Sequence, residues 1–158
     1  MAAGGHERFR ERARDLGLEI RSQRFPDGTR TAVDAAAAVG CEVGQIVKSL
    51  VFVVDGDPVL ALTSGANRVD TRRLAAALGG DAARKADADE VRAATGYAIG
   101  GTPPVAHDQP LRTVVDPALL DFDEVWAAAG TPQDVFPVAP DRLVELTGAE
   151  VVDVTERG

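Results

Sequence analysis

The sequence predicts an α+β domain with a mixed sheet, and three observations lead to this prediction. Apolar, strand-like segments alternate along the chain with segments that carry helix caps and helix stops. The sequence DGD at residues 55–57 joins two of the strand-like segments and is typical of an antiparallel hairpin. At 158 residues the chain can bury a core of its own, and we expect residues 1–158 to form a single domain.

The helices and strands of the first half are predicted from caps, breakers and apolar runs. Thr31 is followed by Asp34, an acid at the capping-box position, and the alanine-rich segment ends at Gly40. The sequence PDG at residues 26–28 predicts a turn. We expect helices over residues 6–16, 31–40 and 69–78, and strands over residues 18–25, 45–55 and 58–63.

The second half is predicted to contain shorter elements. Acidic residues begin the helix over residues 87–95, which suits the helix dipole, and a proline begins the helix over residues 140–147. Residues 97–107 form an irregular loop, and Asp116 follows a strand where it can cap a helical turn. We expect strands over residues 111–115, 124–129, 135–138 and 150–154.

The strand over residues 45–55, QIVKSLVFVVD, is almost wholly apolar but contains one lysine, Lys48. Side chains alternate across a strand, so Lys48 shares a face with Ile46 and Leu50, while Val47 and Ser49 point the other way. A fully buried, unpaired ammonium group costs several kcal/mol. Lys48 therefore either reaches a polar cleft or snorkels to solvent from an edge strand.

The charge of the chain is unevenly distributed. The net charge of −8 argues against a large nucleic-acid footprint. Residues 105–158 hold 11 acidic and 3 basic residues, whereas the preceding part is neutral overall. Two basic groups could contact a few phosphates or could be solvated helix faces. They are Arg8, Arg10, Arg12 and Arg14, and then Arg68, Arg72, Arg73, Arg84 and Lys85.

Several classes of protein are not indicated. The first residues lack the apolar run of a signal peptide, and no apolar stretch is long enough to span a membrane. Cys41 is the single cysteine, so we expect no internal disulfide, which suits a reducing cytoplasm. His6, His107 and Cys41 lack metal-ligand spacing. No GxSxG, Walker or GxGxxG motif is present, and no local signature supports a serine triad with His107.

The loop YAIGGTPPVAH has features of an oxygen-binding turn. Gly100 and Gly101 allow positive φ and close backbone approach, while Pro103 and Pro104 stiffen the following chain. The remaining amides of such a loop can point outward and hold a carbonyl oxygen or an oxyanion. The alternative is a rigid surface turn. His107 follows directly and could line a pocket or serve as a structural histidine.

Lys48 and this loop together resemble the YbaK family, also called the prolyl-tRNA synthetase-associated or aminoacyl-tRNA editing domain family. The pair of motifs is QIVKSLVF and TGYAIGGTPP, and the resemblance covers most of the chain. TAVDAAAAVG, GDPVLALTSGANRVD, VVDPALL and LVELTGAEVVDV also fit it. Members of the family are deacylases that hydrolyse amino acids wrongly attached to tRNA, notably tRNA for proline.

The resemblance implies a mixed α+β fold whose sheet curls into a partly closed barrel with flanking helices. It makes Lys48 the functional lysine, and it implies neither a metal nor an organic cofactor. The implied partners are the acceptor end of aminoacyl-tRNA and an aminoacyl-tRNA synthetase, but neither DNA nor a membrane. The residues expected to hold the substrate carbonyl and the terminal adenosine are Gly100, Gly101, Thr102, Pro103 and Pro104, with His107 beside them.

An activated ester needs little beyond a positioned water and a stabilised oxyanion. We therefore favour a charged, positioning role for Lys48, which could act as a base only if desolvation lowered its pKa. The resemblance suggests that the ribose hydroxyl of the substrate activates water.

One departure from the family bears on specificity. Cysteine-specific members carry a serine and an aspartate near a late SGG turn, where this chain has Ala128 and Val135. His107 is more like the branches that clear alanine or other small residues. We therefore expect a free-standing cytoplasmic deacylase for a small mischarged amino acid, with tRNA for proline as the leading candidate. The alternatives are a module that binds aminoacyl-tRNA or a synthetase without hydrolysis, and a hydrolase of a non-tRNA ester or amide.

Overall fold

A computed structural model of the protein describes residues 4–26 and 31–156. In this part of the chain, helices and strands alternate along most of the sequence. The helices are α1 (Gly5–Asp15), α2 (Ala32–Val39), α3 (Thr71–Ala77), α4 (Ala88–Thr95) and α5 (Pro140–Thr147). The strands are β1 (Gln23–Arg24), β2 (Val47–Val54), β3 (Asp57–Ser64), β4 (Ala83–Lys85), β5 (Arg112–Val115), β6 (Val125–Ala128), β7 (Asp134–Val138) and β8 (Glu150–Val151). Two short 3-10 helices, Val43–Gln45 and Pro117–Asp121, complete the elements.

The strands form two sheets. The larger sheet has the order β4-β2-β3-β5-β8, with antiparallel pairs around β2 and parallel pairs around β5. The smaller sheet, β1-β7-β6, is antiparallel. Because parallel and antiparallel pairs occur together beside five helices, the prediction of a mixed α+β fold is confirmed.

The sheets are not closed into the partly closed barrel that the family resemblance implied. In the described residues, the two sheets share a single isolated bridge, between Ile46 and Trp126. β4 pairs only with residues 52–54 of β2, so the first half of β2 has no strand partner from β4. At that end of β2 the two sheets meet through the Ile46–Trp126 bridge, and residues of both sheets line a cleft beside the first half of the strand.

The hairpin between β2 and β3 is formed as predicted. Asp55 and Gly56 have φ values of 50° and 89°, which are the left-handed conformations of a tight two-residue hairpin turn. The strands pair in register from Val54 with Asp57 to Val47 with Ser64.

The predicted alternation of β2 is seen in the core. Val47 and Val51 belong to the larger apolar cluster, which also contains Phe9 of α1. Phe52 and Val54 point the other way and pack in a second cluster. β2 therefore has buried side chains on both faces, and four of its eight residues are buried.

The caps of the helices also follow the sequence. The Thr31 hydroxyl accepts a hydrogen bond from the amide of Asp34, and α2 ends at Gly40 in the left-handed conformation. Asp70 and Asp87 cap α3 and α4 in the same way. None of the helices in the described ranges is long and apolar enough to cross a membrane.

The edges of the sheets differ from the prediction. The predicted strands over residues 18–25 and 150–154 are reduced to β1 and β8, of two residues each. Leu18 and Ile20 still pack against the core, but they do so from irregular backbone. Strand β4 was not predicted, because its sequence, ARK, has no apolar run. The predicted turn over residues 26–28 lies mostly outside the described residues.

Candidate active site

A cleft of about 760 Å³ is lined by residues of both sheets, from β2, β6 and β7. One side, here called the strand wall, consists of the start of β2 and the turn after β3, and it contributes Lys48, Asn67 and Arg68. The other side, here called the loop wall, is the loop over residues 97–107, of which Ile99, Gly100 and Thr102 line the cleft. The predicted functional lysine and the predicted loop therefore face the same space.

Lys48 lies in the cleft and is partly buried. Its Nζ donates a hydrogen bond to the backbone oxygen of Asn67. Desolvation lowers the pKa of Lys48, and the nearby charges of Arg68 and Lys85 lower it further, whereas Asp116 opposes the shift. Of the two alternatives that the sequence left open for Lys48, a place in a polar cleft is the one observed.

The turn that receives Lys48 is tightly built. The amide of Gly65 donates to the backbone oxygen of Ile46 at 2.7 Å, and the amide of Asn67 donates to that of Ser64 at 3.0 Å. A Cβ atom on Gly65 would lie 2.5 Å from the backbone oxygen of Val43 and 2.7 Å from Cβ of Ala32. Glycine at residue 65 therefore lets the turn pack against the chain that leads into β2.

A buried carboxylate, Asp116, supports the same turn. Its Oδ2 accepts hydrogen bonds from the amide of Ser64 at 3.1 Å and from Nδ2 of Asn67 at 2.9 Å. Its Oδ1 accepts from the amide of Ala118 at 2.9 Å, which is the predicted cap of a helical turn. The contacts to Ser64 and Asn67 were not predicted, since they join positions about fifty residues apart.

The loop wall is held by close backbone packing. Gly100 has φ of 86°, and the amide of Gly101 donates to the backbone oxygen of Ala98 at 3.0 Å. A Cβ atom on Gly101 would lie 2.7 Å from the backbone of Thr131. Gly101, Pro103 and Pro104 are buried behind the surface of the cleft.

Several amides of the loop wall have no hydrogen-bond acceptor among the described residues, and those of Ile99, Gly100 and Thr102 belong to residues that line the cleft. The Thr102 side chain turns inward, and its hydroxyl donates to Ala98 at 3.2 Å. Unpartnered amides beside a cleft are suited to bind a ligand oxygen.

His107 lies behind the loop rather than in the cleft. Its Nε2 is 2.7 Å from the backbone oxygen of Pro103, and its ring meets the Tyr97 ring edge-on at 6.5 Å. Burial lowers the pKa of His107. In this position the histidine braces the chain that follows the two prolines.

Helix α1 clamps the loop from outside. Arg8 donates to the backbone oxygen of Gly96 and lies over the Tyr97 ring at 5.0 Å from its centroid. Arg12 donates to the backbone oxygen of Ala106 at 3.1 Å and pairs with Asp108 at 2.7 Å. The Tyr97 hydroxyl donates to the same Ala106 oxygen at 2.9 Å. Two arginines of the first basic group therefore contact protein.

The second basic group divides between the cleft and the protein surface. Arg73 pairs with Asp153 and Arg84 with Glu90, at 3.6 Å and 2.8 Å. Arg68 and Lys85 instead line the cleft together with Lys48. No carboxylate lines the cleft in the described ranges, so its charge is positive.

The two positions that differ from cysteine-specific members face each other. Ala128 of β6 is the register partner of Val135 of β7, and both line the cleft. This part of the cleft is therefore apolar. Trp126 also lines it, and nothing in its local sequence indicated that role.

Comparisons with known proteins show similarity to proteins described as aminoacyl-tRNA editing domains and trans-editing enzymes. The family model described as "Aminoacyl-tRNA editing domain" matches residues 26–146. That match includes β2 and the loop wall, but it leaves out α1. A crystal structure of "a putative trans-editing enzyme for prolyl tRNA synthetase" superposes with a TM-score of 0.92 at 45% identity, covering 99% of this chain and 100% of that one.

Two relatives differ in how much of their own length matches this chain. The proline–tRNA ligase of Streptococcus equi subsp. equi is 32% identical over 130 residues, which are 80% of this chain and 21% of the ligase. The chain thus spans about a fifth of the length of that ligase. The Enterococcus faecalis protein named "Putative Cys-tRNA(Pro)/Cys-tRNA(Cys) deacylase EbsC" is 27% identical over 128 residues, covering 80% of this chain and 78% of that protein.

Proposed function

The chain belongs to the aminoacyl-tRNA editing domain family, and from this premise we propose that it is a trans-acting aminoacyl-tRNA deacylase. Its reaction is hydrolysis of the ester between a small mischarged amino acid and the terminal ribose of tRNA. Water adds to the ester carbonyl, the bond to the ribose oxygen breaks, and free amino acid and intact tRNA leave. The observation that carries the proposal is Lys48 in the same cleft as the unpartnered amides of Gly100 and Thr102.

Lys48 acts as a positioned cation in this proposal. Its Nζ is held by the backbone oxygen of Asn67 and retains further donors for a substrate oxygen. The amides of Gly100 and Thr102 stabilise the oxyanion that forms at the carbonyl. The neighbouring ribose hydroxyl of the substrate takes part in activating water. The other predicted loop residues, Gly101, Pro103, Pro104 and His107, do not line the cleft and support this wall from behind.

The substrate end of tRNA matches the charge and apolar surface of the cleft. Arg68 and Lys85 supply positive charge for phosphates of the acceptor end. Val33 and Ile99 line the cleft and are exposed apolar side chains, suited to contact with the terminal adenine. The partners are thus aminoacyl-tRNA and, through it, an aminoacyl-tRNA synthetase, in the cytoplasm. We assign the activity to residues 1–158 as one domain.

The amino acid is small and lacks a strongly polar side chain. Ala128 and Val135 give the cleft an apolar surface without the serine and aspartate expected for cysteine. An apolar pocket discriminates one methylene by about 1–3 kcal/mol, so we take alanine as the first candidate and compare it with larger and more polar residues in the assay. The likeness to an enzyme described as trans-editing for prolyl-tRNA synthetase makes tRNA for proline the first candidate.

The test is a deacylation assay with a panel of mischarged tRNAs. Alanine, cysteine and serine on tRNA for proline are compared with correctly charged prolyl-tRNA. We expect wild type to release alanine fastest and to spare prolyl-tRNA, and Lys48→Ala to release alanine at the uncatalysed rate. Equal inactivity of both proteins on every pair would contradict the proposal.

A non-hydrolytic binding module is the second candidate. It is favoured by the absence of polar side chains at Ala128 and Val135, which leaves that wall without a group to orient a polar substrate. The module would bind mischarged tRNA with a measurable dissociation constant and release no amino acid. Binding that Lys48→Ala weakens, without turnover in wild type, would establish it.

A further inference from the structure

Asp116 is buried, and its carboxylate accepts three hydrogen bonds: two from Ser64 and Asn67 in the turn of the strand wall and one from the Ala118 amide. A carboxylate used only as a cap could serve with the Ala118 amide alone. The bond to Nδ2 of Asn67 adds a link that the cap does not require. Asn67 in turn presents its backbone oxygen to Nζ of Lys48. A continuous path therefore runs from the buried carboxylate to the lysine.

We propose that Asp116 is a positioning residue for Lys48 and acts through Asn67. Asn67 is the pivot, because its side chain is fixed by Asp116 while its backbone oxygen fixes Lys48. Lysine has a long stem with several rotatable bonds, so an unsupported ammonium would sample many positions in a cleft of about 760 Å³. The path removes that freedom and aims the charge across the cleft at the loop wall. This role rests on the proposed function only for its effect on catalysis.

The charge of Asp116 also favours Lys48 as a cation, in addition to the hydrogen bonds that position it. The charged groups that act on Lys48 are two cations, Arg68 and Lys85, and one anion, Asp116. Desolvation and both cations favour loss of the proton, whereas Asp116 favours its retention. Asp116 therefore helps Lys48 to stay charged in a site that otherwise disfavours its charge.

The chain has two lysines, Lys48 and Lys85, which makes a direct measurement practical. Protein labelled with carbon-13 at lysine Cε gives two resonances, assigned with Lys85→Arg, and each can be titrated without substrate. In Asp116→Asn we expect Lys48 to titrate at lower pH than in wild type, because the opposing anion is gone. In Asn67→Ala we expect faster Cε motion of Lys48. Lys85 serves as the internal reference in both variants.

The kinetic readout separates positioning from binding. We expect either variant to lower kcat by about ten- to a hundredfold while KM stays within about twofold. The alkaline limb of the pH profile, corrected for uncatalysed hydrolysis, should move to lower pH in Asp116→Asn. The matched control is Asp55→Asn, since Asp55 also caps backbone amides, those of Asp81 and Ala82, but at the far end of β2.

The outcomes are distinguishable. If Lys48 keeps its wild-type titration and motion in both folded variants, the positioning role is wrong. If the Lys48 resonance responds as expected but no form of the protein releases an amino acid, the positioning role stands and the proposed function fails. Asn67→Ala keeps the buried carboxylate and its two backbone bonds, so it provides the test if Asp116→Asn does not fold.

Discussion

The strand wall and the loop wall of the cleft are built in different ways. The strand wall rests on a regular hairpin, with Lys48 paired opposite Thr63 in a continuous ladder. The loop wall has no regular structure, and side chains of α1 brace it from positions 88 and 94 residues away. The first wall therefore rests on backbone pairing, with support from the Asp116 carboxylate, and the second rests on close backbone packing and on side chains of α1.

This difference indicates how each wall should respond to substitution. Substitution of Lys48 in the strand wall should remove a chemical group and leave the fold intact, because the ladder does not need its side chain. Changes behind the loop wall should displace the amides of Gly100 and Thr102 and lower stability and activity together. The predictions below test this division, beginning with the largest expected effect.

Lys48→Met should separate activity from stability most clearly. The variant keeps an unbranched apolar stem and removes the charge, so we expect kcat to fall by more than about a hundredfold. Stability should change by less than about 1 kcal/mol, because the lost hydrogen bond is offset by the relief of desolvation. Single-turnover deacylation and urea unfolding measure the two quantities. A loss of several kcal/mol would show that Lys48 has a mainly structural role.

Gly101→Ala should affect both quantities. The new Cβ would lie 2.7 Å from the backbone of Thr131, so the loop must move away. We expect a loss of about 1–3 kcal/mol in the free energy of unfolding and a fall of about tenfold or more in kcat/KM. Gly4→Ala is the control, since nothing lies within 4 Å of its added Cβ. Wild-type activity in Gly101→Ala would contradict the placement of the loop.

Arg68→Ala and Lys85→Ala should weaken binding more than chemistry. Each removes a cation that lines the cleft, so we expect KM for aminoacyl-tRNA to rise by about three- to tenfold at moderate salt and to depend less steeply on salt. The control is Arg72→Ala, on the exposed side of α3. An equal effect of all three substitutions would indicate a diffuse surface rather than a cleft.

Arg12→Ala should lower stability and kcat/KM by smaller amounts, because Arg12 supports the loop wall from outside the cleft. It removes the bond to Ala106 and the pair with Asp108, which are partly exposed, so we expect about 1 kcal/mol of lost stability. A fall of about threefold in kcat/KM should accompany it. Arg14→Ala on the exposed side of the same helix is the matched control. If Arg12→Ala and Arg14→Ala have equal stability and equal kcat/KM, Arg12 of α1 does not support the loop wall.

His107 should give the smallest effect, visible as a dependence of stability on pH. Burial lowers its folded-state pKa, so the unfolded chain takes up a proton first as pH falls below about 6.5. Stability should therefore decrease from that pH downward until the folded form is also protonated. In His107→Asn this component should vanish. Unfolding measured between pH 7 and 5 makes the comparison, and His6 is retained in both proteins.

Features of the two walls that depend on local sequence could be predicted, and features that depend on long-range contacts could not. The apolar run of β2, the hairpin turn and the caps at Thr31 and Asp116 are local signals, and each is confirmed. The contacts of Arg8 and Arg12 with the loop could not be predicted, because periodicity in α1 does not specify what lies opposite it. The strands over residues 18–25 and 150–154 were overestimated, because apolar residues can pack in irregular backbone at a sheet edge.

The cleft itself could be predicted only in part. Lys48 and the loop over residues 97–107 were singled out by composition and then by family resemblance. Which two cations of the second basic group would line the cleft with Lys48 was not predictable, since Arg68 lies in the turn after β3 and Lys85 in β4, and only long-range packing brings those parts to one cleft. The cleft is lined by residues of both sheets, and no local signal in the sequence indicates that β2 and the β6–β7 pair would lie on the same cleft.

The most direct test of the central claim is the pH dependence of single-turnover deacylation by wild type, Lys48→Arg and Lys48→Ala on alanyl-tRNA for proline. If Lys48 is a positioned cation, wild-type activity should fall as pH rises through the pKa of Lys48, and Lys48→Arg should retain activity above that of Lys48→Ala without this fall. Wild-type activity that rises through the same pH range, with Lys48→Arg as inactive as Lys48→Ala, would identify Lys48 as a base and contradict the account.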